Sequence, residues 1–137
     1  IELREIKGKR TIDQNSLYWI WLTVIEVETG NEKEHSHLLY RAKFLRFSDE
    51  YVTGFIRPDV WGKVKKHVDN FHYFEGLEMI IDAISHSTTA LDTAQFTVYL
   101  ESIRDHSAKN MGIHLVTLEE QGFEQFYNNY ERKFLQS

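Results

Sequence analysis

Apolar residues recur at helical spacing along most of this chain. Leu17, Ile20, Trp21, Val24 and Ile25 mark one face of a first helix. Thr11 and Gln14 stand at capping-box spacing ahead of it. Asp13 falls in its first turn, where the helix dipole favours an acid. Gly30, after Thr29, predicts its end. A second helix is expected from Glu32 or Glu34 to Arg46, with Leu38, Leu39, Ala42 and Leu45 on its apolar stripe. A third is expected from near Asp92 to Met111-Gly112, with Phe96, Leu100 and Ile103 on one face and Tyr99 beside them. A fourth should start at Thr117, with Glu120 at the box position. It carries the aromatic stripe Phe123, Phe126, Tyr127, Tyr130 and Phe134.

The remaining segments read differently. Ile1 to Ile6 alternates imperfectly and predicts a short strand, followed by the basic turn Lys7-Gly8-Lys9-Arg10. Asp49 to Arg57 reads as a strand or extended arm ended by Pro58. Residues 59 to 68 have helical character, weakened at Gly62. Leu77 to Ile84 fits either a strand or a helix. No βαβ rhythm is present, so the expected fold is α+β: a small mixed or antiparallel sheet with a majority of helices. At 137 residues the expected organisation is a single domain over 1–137. The chain begins at Ile1 rather than Met, which leaves room for a missing N-terminal segment.

Charge narrows the function classes. The net charge is −5, so any nucleic-acid contact has to use a local basic patch on an acidic body. With no cysteine, disulfides and thiolate metal sites are excluded. No apolar run approaches the ~20 residues of a membrane span. The seven His include Glu34-His35-x-His37, but no metal-ligand spacing such as H-E-x-x-H occurs. G-x-S-x-G and the phosphate-binding glycine loop are both absent. Neither a metal, a cofactor nor a catalytic residue is therefore expected. A nuclease with dispersed carboxylates and a protein-interaction module stay open as alternatives.

One stretch combines several features. In KRTIDQNSLYW, Lys9 and Arg10, with Lys7 just before, lead into a helix N-terminus, whose free N–H groups and dipole suit a phosphate. Gln14 and Asn15 offer amides, and Tyr18 and Trp19 offer flat faces for base stacking. The bland reading assigns Gln14 to capping, Trp19 to the core and the cations to a solvated turn.

RTIDQNSLYWIWL (Arg10 to Leu22) resembles the signature of the phage NinB, or Orf, recombination family. STTALDTAQFTVYLESIRDHSAKNMGI (Ser87 to Ile113) resembles that family's second block. The resemblance implies a non-enzymatic, mediator-type accessory of phage recombination. Such a protein binds single-stranded or gapped DNA, contacts the host single-strand-binding protein and assists loading of the host recombinase. It also implies a homodimer in the bacterial host cytoplasm. By motif position, Gln14 and Trp19 would face DNA. Lys7, Lys9, Arg10 and Asn15 complete the expected contact set. Residues 49 to 75 match no pattern of the family.

Overall fold

The computed structural model describes residues 4–6, 10–117 and 119–136, with side chains described from 13 to 117 and from 119 to 130. Strands β1 (Arg4–Ile6) and β2 (Arg10–Ile12) pair antiparallel, Arg4 opposite Ile12 and Ile6 opposite Arg10. Among the described residues seven α-helices follow. They are α1 (Gln14–Thr29), α2 (Lys33–Phe44), α3 (Asp49–Thr53), α4 (Pro58–Asp69), α5 (Leu77–Ile84), α6 (Thr93–Met111) and α7 (Phe123–Gln136). A 3-10 turn over Thr88–Ala90 precedes α6.

The α+β expectation is overturned. Helices make up most of the described residues, and no sheet forms a layer. The only β pairing among the described residues is the three-residue ribbon and an isolated bridge between Arg46 and Ser85. The extended arm expected over Asp49 to Arg57 is helix α3 instead. Ser48 caps it, its hydroxyl accepting from the Tyr51 N–H at 3.2 Å, and Asp49 and Glu50 fill the first turn. These start signals prevail over the β-forming side chains of Tyr51, Val52 and Thr53, because a helix brings Val52 into the core, fully buried. Pro58 does not end a strand; it opens α4 at a first-turn position, where its missing N–H costs nothing.

The chain divides into two compact units: residues 1–33 with 93–137, and the contiguous segment 34–92. In the first, α1 packs on α6 and α7. Its core holds Tyr18, Trp21, Leu22, Ile25, Tyr99, Ile103 and Leu115. Tyr18 and Tyr99 share a buried hydroxyl–hydroxyl hydrogen bond of 3.0 Å, and the Trp21 indole donates to the Val116 carbonyl at 3.0 Å. From the aromatic stripe of α7, Phe123 and Tyr127 are buried, and the Phe134 side chain lies outside the described ones. The Tyr130 hydroxyl donates to Glu28 at 2.8 Å. Burial first, then that carboxylate, pushes the Tyr130 hydroxyl up to about 12.

α7 starts at Phe123, not Thr117. The Thr117 N–H and hydroxyl both donate to the Glu120 carboxylate, at 3.1 and 3.0 Å, so half of the expected capping box is present. The helix is delayed by Gly122, whose φ of 95° takes the chain through left-handed backbone. Gly30 closes α1 as expected, at φ 82°.

The second unit is built on Leu39, Val52, Trp61, Val64, Val68, Leu77, Ile81 and Ile84. The Trp61 indole donates to Asp49 at 2.8 Å, which fixes α3 against α4. Reciprocal backbone bonds between residues 45–47 and 84–86 pin the entry of α3 to the end of α5. The ambiguous segment Leu77 to Ile84 is helical. Leu77, Ile81 and Ile84 lie at i, i+4 and i+7, and all three are buried.

Candidate functional site

α1 begins two residues later than the sequence suggests. Its N-cap is Asp13, whose carboxylate accepts from the Ser16 N–H at 2.8 Å, while Thr11 belongs to β2. The Ser16 hydrogen bonds hold the Asp13 carboxyl below its usual range. The helix N-terminus expected to seat a phosphate therefore already carries an anion of the chain itself. A phosphate placed there would meet like charge.

Gln14 is released from the capping role and turned to α6. It is 8% exposed, and its amide donates to the Thr97 hydroxyl at 2.8 Å and to the Thr93 carbonyl at 3.4 Å. Thr97 in turn donates to the Thr93 carbonyl at 3.0 Å. Gln14 is thus the polar joint between α1 and α6. Replacing Gln14 by Ala is expected to cost about 1 kcal/mol of stability, since Thr97 keeps its intrahelical partner. Urea unfolding would measure it. A loss above about 3 kcal/mol would show that Gln14 holds more than this joint.

Gln14, Leu17 and Trp21 form one wall of a cavity of about 610 Å³, and α6 supplies the other. Thr93, Thr97, Glu101 and Asp105 stand four residues apart on α6 and make a continuous polar ridge on that wall. Arg104 reaches from the same helix to Glu120 at 2.7 Å, and His114 reaches Glu120 at 3.4 Å. Partial burial pulls the Glu120 carboxyl upward, but the Thr117 hydrogen bonds and the Arg104 and His114 charges prevail and hold it below its usual range. The lining carries the carboxylates of Glu101, Asp105 and Glu119 against the single guanidinium of Arg104, so the cavity is acidic over an apolar floor of Leu17, Trp21 and Leu100.

Of the other expected contact residues, Asn15 and Trp19 do not share the Gln14 contact with α6. Asn15 is exposed on α1, and Trp19 lies one turn further on the same face. Trp19 is partly buried, its ring edge-on to Tyr18 at 5.4 Å. Lys7 and Lys9 lie outside the described residues. Arg10 belongs to β2, and its side chain also lies outside the described ones. The polar ridge of α6 was not among the expected site residues, although its four-residue spacing is visible in the sequence.

The histidine cluster shows its local roles in the second unit. The His35 ring stacks on Tyr73 at 3.6 Å between centroids. Among the described residues, no group of three or more His, Asp and Glu could hold a metal ion. No helix among them is long and apolar enough to cross a membrane. Comparison with protein-family models, with curated proteins and with solved structures finds no match to the chain.

Proposed function

We propose that the protein is a non-enzymatic accessory factor of phage recombination that binds single-stranded or gapped DNA and assists loading of the host recombinase. One observation carries this reading. The first block with the family resemblance, Arg10 to Leu22, and the part of the second from Thr93 to Ile113 lie in one unit and line one cavity, with Gln14 bonded across it to Thr93 and Thr97. Segments far apart in sequence thus form a single built feature.

The roles of the residues shift accordingly. Gln14 positions α1. Asn15 and Trp19, on the neighbouring face, are the side chains offered to a nucleotide, a few residues after Lys7, Lys9 and Arg10 in the sequence. The acidic cavity repels phosphates and keeps the strand on the Asn15–Trp19 face. Fluorescence anisotropy with labelled oligo-dT, at low and moderate salt, tests this. We expect binding that weakens with salt, and a Trp19→Ala variant that binds about tenfold more weakly while keeping its fold. An absence of binding at low salt, or an unchanged affinity in Trp19→Ala, overturns the reading.

A second reading, a protein-interaction module, is favoured by one feature of residues 34–92. Phe47, Tyr51 and Phe55 form an edge-to-face row with centroid spacings of 5.0 and 5.7 Å, and Tyr51 and Phe55 are more than half exposed. Loss of a partner on Tyr51→Ala, with DNA binding at background, would favour it.

A further inference from the structure

α4 carries a second basic feature, unrelated to the resemblance. Lys63, Lys66, His67 and Asn70 fall at i, i+3, i+4 and i+7 and make one stripe of that helix. With His72 they line a cleft of about 470 Å³, a size suited to a phosphorylated small molecule or a nucleotide. No carboxylate lines it.

The surrounding charges leave this cleft positive. Both acids of α4 are engaged elsewhere, Asp59 with Arg57 at 3.2 Å and Asp69 with Arg46 at 2.8 Å. Lys65, on the other side of the helix, pairs with Asp49 at 2.9 Å. Among the described residues, neither Lys63 nor Lys66 makes an ion pair. Lys63 and Lys66, three residues apart, repel one another, at a cost that a bound anion would relieve.

The backbone closing the cleft is also unusual. Phe71 has φ 55°, left-handed for a residue with a bulky side chain. Its ring packs on Tyr40 at 4.6 Å, which holds the conformation in place. The chain reverses there, so Asn70 and His72, on either side of Phe71, both reach the cleft. The last carbonyls of α4 are taken by donors of the chain, that of Asp69 by the Lys43 ammonium at 3.0 Å. The Lys66 carbonyl accepts from the Asn70 amide at 2.8 Å, that of His67 from the His72 N–H at 2.8 Å, and that of Val68 from the Phe71 N–H at 2.9 Å.

We propose that this cleft is a phosphate-binding site, taking the phosphate groups of a nucleotide or of a single-stranded nucleic acid on Lys63, Lys66 and His72. It lies in residues for which the functional reading above has no role, and it stands or falls independently of that reading. The test is an amide NMR titration of the whole chain with two probes, inorganic pyrophosphate and oligo-dT, on the wild type and on the exposed double variant Lys63→Gln/Lys66→Gln. We expect pyrophosphate to shift the amides of residues 63 to 72, and the double variant to weaken that binding about tenfold at low salt. If oligo-dT shifts the same amides, the source is a nucleic-acid strand. If pyrophosphate alone does so, the source is a free phosphate ligand. No shift in this segment with either probe, or shifts untouched in the double variant, overturns the proposal. Trp19→Ala should leave this titration unchanged, which separates it from the test of the α1 face.

Discussion

Between pH 7 and pH 4 the protein should lose up to about 3 kcal/mol of stability, and His37 should account for most of the loss. Burial, and then the nearby Arg41 guanidinium, depress the His37 imidazole from its ordinary 6.5 to about 4. Arg41 is itself buried, its Nε donating to the His86 carbonyl at 3.0 Å and its terminal nitrogen to Asp82 at 2.9 Å. Asp82 is 88% exposed, so water screens its charge and it offsets little of the guanidinium's field on His37. A folded-state value below the unfolded one means that the unfolded chain takes up the proton first. The stability is therefore complete above about 6.5, declines as the pH falls, and is exhausted near 4. The gap between the two values corresponds to about 3 kcal/mol. Urea titrations at several pH values would measure the slope. In His37→Gln it should nearly vanish above about pH 5, below which depressed carboxyls such as Glu120 add their own loss, and an equal slope between pH 7 and 5 in that variant would refute the assignment. The Asp13 contribution, from a depressed carboxyl, is lost only as the pH falls below about 3.8 and does not share this window.

Trp21→Ala should cost about 3–5 kcal/mol, the largest single-residue effect expected in the first unit. Trp21 is 1% exposed, and its indole N–H is satisfied only by the Val116 carbonyl, far along the chain. Truncation would remove the ring from between α1 and the segment after α6, and would open the floor of the cavity that Trp21 lines. It would also leave the Val116 carbonyl without that donor. Trp21→Phe keeps much of the volume and loses only the hydrogen bond, so it should cost about 1–2 kcal/mol. Equilibrium unfolding of the two variants gives the comparison. A cost below about 1 kcal/mol for Trp21→Ala would mean that the site collapses around the gap.

The helices were legible where periodicity and caps agreed. α1, α2 and α6 stand near their expected bounds because an apolar stripe and a Gly or polar boundary coincide. α3 was misread because Tyr51, Val52, Thr53, Phe55 and Ile56 resemble a strand, and a single Ser cap with two acids decides a helix this short. α7 was placed too early because Thr117 and Glu120 do form part of a box, but Gly122 intervenes. The sheet was overestimated because its second expected strand became α3, and its first, β1, pairs among the described residues only with β2. At the site, spacing identified Gln14 as special but not its partner. A capping glutamine and an interhelical one look alike until α6, some eighty residues on, is placed beside it. The ridge of Thr93, Thr97, Glu101 and Asp105 was readable as a polar face, but nothing local says that such a face lines a cavity rather than meeting solvent.

The order in which the two units occur along the chain bears on synthesis. α1 leaves the ribosome early, yet its partners α6 and α7 are encoded after the whole of residues 34–92. The intervening unit is contiguous and can complete its core while the first waits. During that interval Trp21, Leu22 and Ile25 have nothing of their own to pack on, and the closing contacts have to span the entire inserted segment. α1, which buries much of its length, is thus left without its partners while the whole intervening unit is made. A ribosome-associated holdase has its clearest target there.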